Sequence, residues 1–371
     1  MNVIVSGGGT GGHIYPALTI IRTIQQHAPT ARILYVGTPH GLEADIVPRA
    51  GIDFVAVDLA GFERRISFEN VLRAGRALRA LVHARRIVRH FQPHIAIGTG
   101  GYVAGPILLA ASLAGVPTLV QEQNVCAGVT NRILAKFATA VAVGMEDARR
   151  VFPPEKTYVT GNPIRPEVLT AKRADGALAF GFDPAKKTVL ISGGSRGART
   201  INRAMVEVIV HAAEQEDVQY LHVTGAEEHD DTLTRIRSAG VRLAAHPNIR
   251  VVPYLYNMPQ AMAMADLAVF RAGATGLAEL AARGVPAILI PYPYAAENHQ
   301  EKNARAVEAA GAAEVILNRD LSGAVLEGAL RTLLADEVRR AAMAAAMKRL
   351  GKPEAAERIA ALALRIAKRE G

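Results

Sequence analysis

The chain has no tryptophan and one cysteine, Cys126, in 371 residues. One thiol cannot close an intramolecular disulfide, so no disulfide framework holds the fold, and a reducing compartment is expected. No apolar run reaches the roughly 18–20 residues that a membrane-crossing helix needs, so no spanning segment is expected. No basic stretch precedes an apolar one near Met1, because glycines interrupt at once; no signal peptide is expected. Without tryptophan, stacking on bases would fall to Tyr and Phe. These are scattered rather than interleaved with basic residues, so no nucleic-acid partner is expected.

Half of the residues are apolar and 21% are charged, the balance of a globular protein. The length suffices for two domains, each with its own core. The net charge of +9 is uneven: Lys and Arg outnumber Asp and Glu by 17 to 10 through Arg165, but only by 26 to 24 beyond it. Such asymmetry points to an anionic partner, either a membrane surface or a phosphorylated substrate once nucleic acid is set aside.

Short β-rich runs alternate with helical patterns, which predicts parallel α/β units. Strands are expected at Asn2–Ser6, Ile33–Val36, Phe54–Val57, Ile95–Gly98, Thr118–Gln121, Ala140–Val143 and Thr157–Val159. Helices are expected at Ile14–Gln26, Pro106–Leu113 and Val129–Phe137. Thr160–Pro166 carries turn residues and two prolines and reads as a linker. The pattern then restarts: Thr188–Asn202 repeats the opening order of strand, Ser-Gly-Gly, loop and helix. Further strands are expected at Tyr220–Thr224, Ile249–Val252, Leu267–Phe270, Ala287–Ile290 and Glu314–Leu317. Two Rossmann-like units in tandem follow, with chemistry in the cleft outside the C-terminal ends of their strands. The domains are placed at residues 1–162 and 163–340. The helices of 341–371 are candidates to pack back on the first domain.

The stretch Val3–Pro16 reads as strand, glycine loop and helix N-terminus, where backbone N–H groups and the helix dipole can receive an anion. Gly7, Gly9 and Gly12 fit G-x-G-x-x-G, but a dinucleotide site needs an acid at the end of the second strand, and Tyr35–Pro39 has none. His13, at the loop's end, suits a general base at neutral pH; its bland reading is a capping or surface histidine. Gly98–Pro106 is a second glycine loop, either a tight turn or, with the first, a pocket for a diphosphate. In Gln121–Val125, Glu122 reads equally as an acid/base group or as a loop orienter, and Asn124 suits a sugar hydroxyl. Ser192–Ala198 is a phosphate-loop candidate around Ser195, without the Lys of a P-loop. Arg196 and Arg199 read as cationic helpers or solvated charges. Glu279, on an otherwise apolar helical turn, suits a ribose diol. His299 and Gln300 stand in a proline-rich loop and could meet sugar hydroxyls. Glu63–Phe91 is basic and amphipathic: a core helix with a solvated face, or an attachment to an anionic bilayer.

Seven motifs occur in order: GGGTGGHIYP, GTGGYVAGP, QEQN, TGNPIRP, SGGSRGARTIN, FRAGATGLAEL and PYPYAAENHQEKNA. Through them the chain resembles the MurG family of bacterial peptidoglycan glycosyltransferases along essentially its whole length. The resemblance implies a GT-B fold, two Rossmann-like domains facing a cleft. It implies inverting transfer of N-acetylglucosamine from UDP-GlcNAc to the C4 hydroxyl of the muramoyl pentapeptide on undecaprenyl diphosphate (lipid I), giving lipid II at the cytoplasmic face of the inner membrane. UDP-GlcNAc is then a substrate and no cofactor is expected. The resemblance is also compatible with association with cell-wall or division proteins. Thr10, Gly11, Gly12 and Asn124 would touch the donor sugar, and His13 would be the base. Arg165 would contact the nucleotide, Ser195 the diphosphate and the Leu255 backbone the uracil. Gly273, Ala274, Thr275, Gly276, Leu277 and Ala278 would run beside sugar and diphosphate, and Glu279 would take the ribose. His299 and Gln300 stand where the family often has Gln-Gln. Gly98, Gly100, Gly101, Tyr102 and Glu122 would serve the acceptor. Arg73, Leu78, Arg79, Leu81, Val82 and Arg86 would meet the membrane, in place of the tryptophan common there. No Asp-x-Asp triplet is found, which agrees with metal-independent chemistry. A UDP-GlcNAc 2-epimerase, a glycosyltransferase using another lipid acceptor and a non-catalytic binding module are the alternatives.

Overall fold

A computed structural model describes residues 1–58, 68–194 and 197–368; over residues 68–78 the backbone alone enters the description. The chain divides into two compact units, Met1–Ile164 with Pro353–Gly371, and Arg165–Lys352. The first break falls inside the proline-marked segment Thr160–Pro166. The expected borders were 162/163 and 340/341. Of the last helices, Glu337–Leu350 packs on Ala274–Arg283 in the second unit, and Ala355–Ala367 packs on Gly11–His27 in the first.

The first unit holds seven strands: β1 (Asn2–Ser6), β2 (Arg32–Gly37), β3 (Asp53–Ala56), β4 (Ile95–Gly98), β5 (Thr118–Glu122), β6 (Ala140–Val143) and β7 (Thr157–Val159). They lie in the order β3-β2-β1-β4-β5-β6-β7, every pair parallel. Alternation along β1 explains its place at the centre. Val3 and Val5 face a core shared with helices Gly11–His27 and Ala355–Ala367, while Ile4 faces a second core with Ala84, Val88 and Leu108. Both faces are thus covered, as a parallel sheet requires, and each fully buried Val or Ile contributes roughly 1.5–3 kcal/mol.

The second unit repeats the plan with β8 (Lys187–Ser192), β9 (Val218–Val223), β10 (Ile249–Val252), β11 (Leu267–Phe270), β12 (Ala287–Leu289) and β13 (Ala313–Val315). Their order is β10-β9-β8-β11-β12-β13, again all parallel. β13 stops at Val315, short of the expected Leu317, because its neighbour β12 pairs with it over only three residues. In each sheet the strand order reverses beside the first strand, between β1 and β4 and between β8 and β11. Register brings the chain off the sheet at matching levels there: Ser6 lies opposite Gly98, and Ser192 opposite Phe270. These reversal points are where ligands of doubly wound sheets bind.

Candidate active site

In the first unit, the loops after β1 and β4 lie against each other. The Gly8 N–H donates to Gly100 O at 3.4 Å. Gly101 has φ +81°, and a Cβ there would stand 2.5 Å from Gly8 O; one on Gly100 would stand 2.7 Å from the His13 ring. Only glycine admits this approach. The helix Gly11–His27 opens at this point, with Thr10 as its exposed N-cap. Tyr102 is exposed near Gly9.

His13 Nδ1 lies 3.0 Å from Thr99 O and 3.2 Å from Gln123 Oε1. Both partners accept, so Nδ1 carries the proton and Nε2 the lone pair. Behind the ring runs a chain of buried amides with one direction. Gln123 Nε2 donates to Gln121 Oε1, Gln121 Nε2 to Asn162 Oδ1 at 3.1 Å, and Asn162 Nδ2 back to Gln123 O at 2.9 Å. Gln123 Nε2 also reaches Thr99 O at 2.6 Å, which turns its Oε1 toward His13. Gln121 and Gln123 share one side of the chain as it leaves β5; Glu122 takes the other. The buried Glu122 carboxylate accepts from the Asn124 N–H at 3.0 Å, from Asn124 Nδ2 at 3.2 Å, from the Gly128 N–H at 3.0 Å and from Asn131 Nδ2 at 2.8 Å. These bonds orient the loop that carries Asn124.

Sequence reasoning passed over Glu43. Its fully buried carboxylate accepts from the Gly9 N–H at 3.2 Å and from the Thr38 N–H and hydroxyl at 3.1 and 2.7 Å, pinning the first glycine loop from beneath. The Tyr35 hydroxyl donates to Gly7 O at 2.6 Å, and burial with Glu43 nearby pushes that phenol well above its usual range. The spacing of Glu43 gave no sign of this, because an acid in the first turn of Glu43–Arg49 is ordinary dipole chemistry.

In the second unit, Ser195 and Arg196 lie outside the described residues. Around them, Gly194 and Gly197 have φ of +88° and +75°, and helix Arg199–Ala212 follows. Arg199 is held by Glu228, its nearest bond 2.7 Å. Gly273 caps the helix Ala274–Arg283, and a Cβ on it would meet nothing within 4 Å. The Thr275 hydroxyl, in that helix's first turn, is buried with no hydrogen-bond partner among the described residues. Leu277 packs inward, and Ala274, Gly276 and Ala278 complete the turn. Glu279 is buried and accepts from Arg165 Nε at 2.8 Å, so the structure pairs two residues that the sequence reading assigned separately to the nucleotide. Burial pushes the Glu279 carboxyl up, and Arg165 pulls the other way. Leu255 is buried between Tyr254 and Tyr256, whose rings meet edge-on. Gln300 Oε1 accepts from the Tyr292 N–H at 2.9 Å, and His299 Nδ1 donates to Ala296 O at 2.7 Å, so both help shape the loop that presents them.

Arg271, also passed over, follows β11. Its Nη1 reaches Ile290 O, Pro291 O and Asn318 Oδ1 at 3.0, 3.1 and 2.9 Å, and its Nη2 reaches Thr200 Oγ1 at 3.1 Å. Burial lowers this guanidinium to about 10, still protonated at neutral pH.

Of the residues expected at a membrane, the side chains of Arg73 and Leu78 lie outside the described set. Arg79, Val82 and Arg86 are exposed, whereas Leu81 is partly buried against the core. Four further apolar side chains that the sequence reading did not name are open to solvent in this unit: Leu113, Val129, Ile133 and Phe137 are all about half exposed or more. Ser112 Oγ donates to Phe137 O at 2.9 Å, joining the ends of the two segments. No described helix is long and apolar enough to cross a membrane. Among the described residues, no group of three His, Cys, Asp or Glu side chains is placed to share a metal ion.

Models of the glycosyltransferase family 28 N-terminal and C-terminal domains match residues 3–143 and 188–359. The UDP-N-acetylglucosamine--N-acetylmuramyl-(pentapeptide) pyrophosphoryl-undecaprenol N-acetylglucosamine transferase of Desulforamulus reducens is 47% identical over 96% of each chain. The crystal structure of Acinetobacter baumannii MurG superposes with a TM-score of 0.77 at 28% identity, covering 98% of this chain and 99% of that one. A UDP-GlcNAc 2-epimerase of Neisseria meningitidis shares the fold at 15% identity, with a TM-score of 0.67 over 98% of this chain and 100% of that one.

Proposed function

The chain belongs to glycosyltransferase family 28, and from that premise we propose that it transfers N-acetylglucosamine from UDP-GlcNAc to the C4 hydroxyl of lipid I, producing lipid II. The α-linked donor and β-linked product require inversion, so one in-line displacement suffices. The observation that carries the mechanism is the orientation of His13. Two acceptors hold the proton on Nδ1, so Nε2 is the nitrogen that takes the acceptor's proton as its oxygen attacks the anomeric carbon. The amide chain through Gln123, Gln121 and Asn162 fixes this tautomer and steadies the imidazolium that forms.

Glu122 positions Asn124 toward the donor sugar. The loops of Gly98–Tyr102 and Gly7–Gly12 offer backbone N–H groups to the acceptor diphosphate. In the second unit, Glu279 binds the ribose and Arg165 the nucleotide. Leu255 offers its backbone to the uracil, and Gly273–Ala278 runs along the diphosphate. The helix N-terminus beside Thr275 stabilises departing UDP. His299 and Gln300 stand with the sugar hydroxyls. The first unit rests on the cytoplasmic face of the inner membrane. Val82, Leu113, Val129, Ile133 and Phe137 insert there, while Arg79, Arg86, Arg132 and Lys136 meet anionic headgroups.

Transfer of labelled GlcNAc to a short-chain lipid I analogue, with EDTA and acceptor-free arms, tests this reading. Transfer that survives EDTA is expected, together with a loss of at least about a hundredfold in kcat for His13→Gln and unchanged UDP affinity. Full turnover by His13→Gln would remove it as the base. Conversion of the sugar nucleotide without acceptor would favour an epimerase.

A further inference from the structure

Two consecutive peptides of the first glycine loop carry its contact with the second. In the Gly7–Gly8 peptide the N–H points outward and donates to Gly100 O at 3.4 Å, while Gly7 O accepts from the buried Tyr35 hydroxyl at 2.6 Å. In the Gly8–Gly9 peptide the sense is reversed. The Gly9 N–H points inward to Glu43 Oε2 at 3.2 Å, and Gly8 O lies against Gly101, where a Cβ would stand 2.5 Å from it. A trans peptide holds N–H and C=O antiparallel, so fixing one end fixes the other. Each peptide is thus held from the core by one side chain: a donor for the first, an acceptor for the second. Glycine stands on both sides of the second peptide, so the backbone itself tolerates either sense there.

Glu43 is matched to this task. It is fully buried, and a Cβ on Gly8 or Gly37 would stand 2.5 or 2.7 Å from it. Its partners are three neutral donors: the Gly9 N–H, the Thr38 N–H and the Thr38 hydroxyl. A buried carboxylate with neutral partners is costly, and an amide of the same shape would fill the space without a charge. An amide, however, would turn a donor toward the Gly9 N–H. At Tyr35, burial first and then Glu43 hold the phenol well above its usual range, so it stays a donor.

We propose that Tyr35 and Glu43 are positioning residues for the acceptor site: together they set which peptide dipole the first loop presents to the second, and so hold the two loops as one anion-binding surface. This rests on the acceptor reading above. Both side chains are fully buried and act through the loops. In Glu43→Gln the amide oxygen keeps Thr38 while the amide NH2 takes Gly8 O, which turns the Gly8–Gly9 peptide over and withdraws Gly8 O from Gly101. Tyr35→Phe keeps the ring and removes only the donor. Thr38→Val removes one bond to the carboxylate and none to the loop.

Initial rates with the short-chain lipid I analogue, and UDP affinity by calorimetry, are measured on the full chain for wild type and these three variants. The acceptor KM is expected to rise about tenfold in Glu43→Gln and about threefold in Tyr35→Phe, with kcat within about threefold and UDP affinity unchanged in both. Thr38→Val is expected to stay within about twofold of wild type throughout. An unchanged acceptor KM in either loop-facing variant would overturn the proposal. So would an equal rise in Thr38→Val, or a parallel loss of UDP affinity, each the mark of damaged packing rather than of a turned peptide. Tyr35→Phe, which preserves the core's shape, decides alone should Glu43→Gln fail to fold. Wild-type protein that transfers nothing to the acceptor would overturn the acceptor reading and this inference with it.

Discussion

At the scale of residues, burial decides what a histidine can do. His13 is half-buried with its proton placed by two acceptors, the setting that the proposed base requires. His222 is the opposite case. It is fully buried on β9, donates from Nε2 to Asn202 Oδ1 at 3.0 Å, and leaves Nδ1 without a partner among the described residues. Burial, then the neighbouring His229, lowers it from 6.5 to about 3. In the unfolded chain it protonates near its ordinary value, so the unfolded state binds more protons as pH falls below about 6.5. Stability is therefore lost with falling pH between those two values and not further below about 3. The loss reaches about 2 kcal/mol by pH 5. Urea unfolding at pH 7 and pH 5 should show this difference in wild type and show it smaller by that amount in His222→Gln. The sequence could present His13, Glu279 and Gln300 as candidates because each stands in a loop or turn of unusual composition. It could not present Glu43 or the Gln121–Asn162 pair, whose meaning lies in partners far along the chain.

At the scale of elements, hydrophobic pattern and glycine were enough to read most of the architecture. The run Val3–Val5 ending in glycines, and its echo at Val189–Ile191, mark the central strands of both sheets. The contact between the two first-unit loops was not legible, since it depends on register: only because Ser6 lies opposite Gly98 do Gly8 and Gly101 meet. Gly101→Ala should cost at least about 2 kcal/mol, combining a left-handed backbone with a Cβ driven onto Gly8 O. Chemical denaturation measures this, and a cost under half that value would show that the loops part freely. The turn before helix His299–Ala309 also escaped the pattern. Glu297 and Asn298 hold φ of +56° and +52° where glycine would be usual, so composition marked the loop as a candidate site but gave no sign of its left-handed turn.

At the scale of the whole molecule, charge asymmetry pointed toward an anionic partner, a membrane surface among the candidates, before any coordinates did. The face proposed for it gains Leu113, Ile133 and Phe137, three apolar side chains on segments that sequence reading gave only as helices. Phe137→Glu should cut sedimentation with phosphatidylglycerol vesicles about tenfold while leaving turnover of a soluble short-chain acceptor unchanged. Equal vesicle binding by the variant would move the membrane contact elsewhere. The last helix, Ala355–Ala367, lays Ile359, Leu362 and Ile366 into the core that Val3 and Ile14 begin. This bears on how the protein is born. The ribosome delivers those three side chains only after the whole second unit has emerged. Until then the nascent first unit keeps an apolar groove uncovered, a stretch of time in which chaperones have something to hold. A message cut short near codon 352 would yield a finished second unit joined to a first one that can never close.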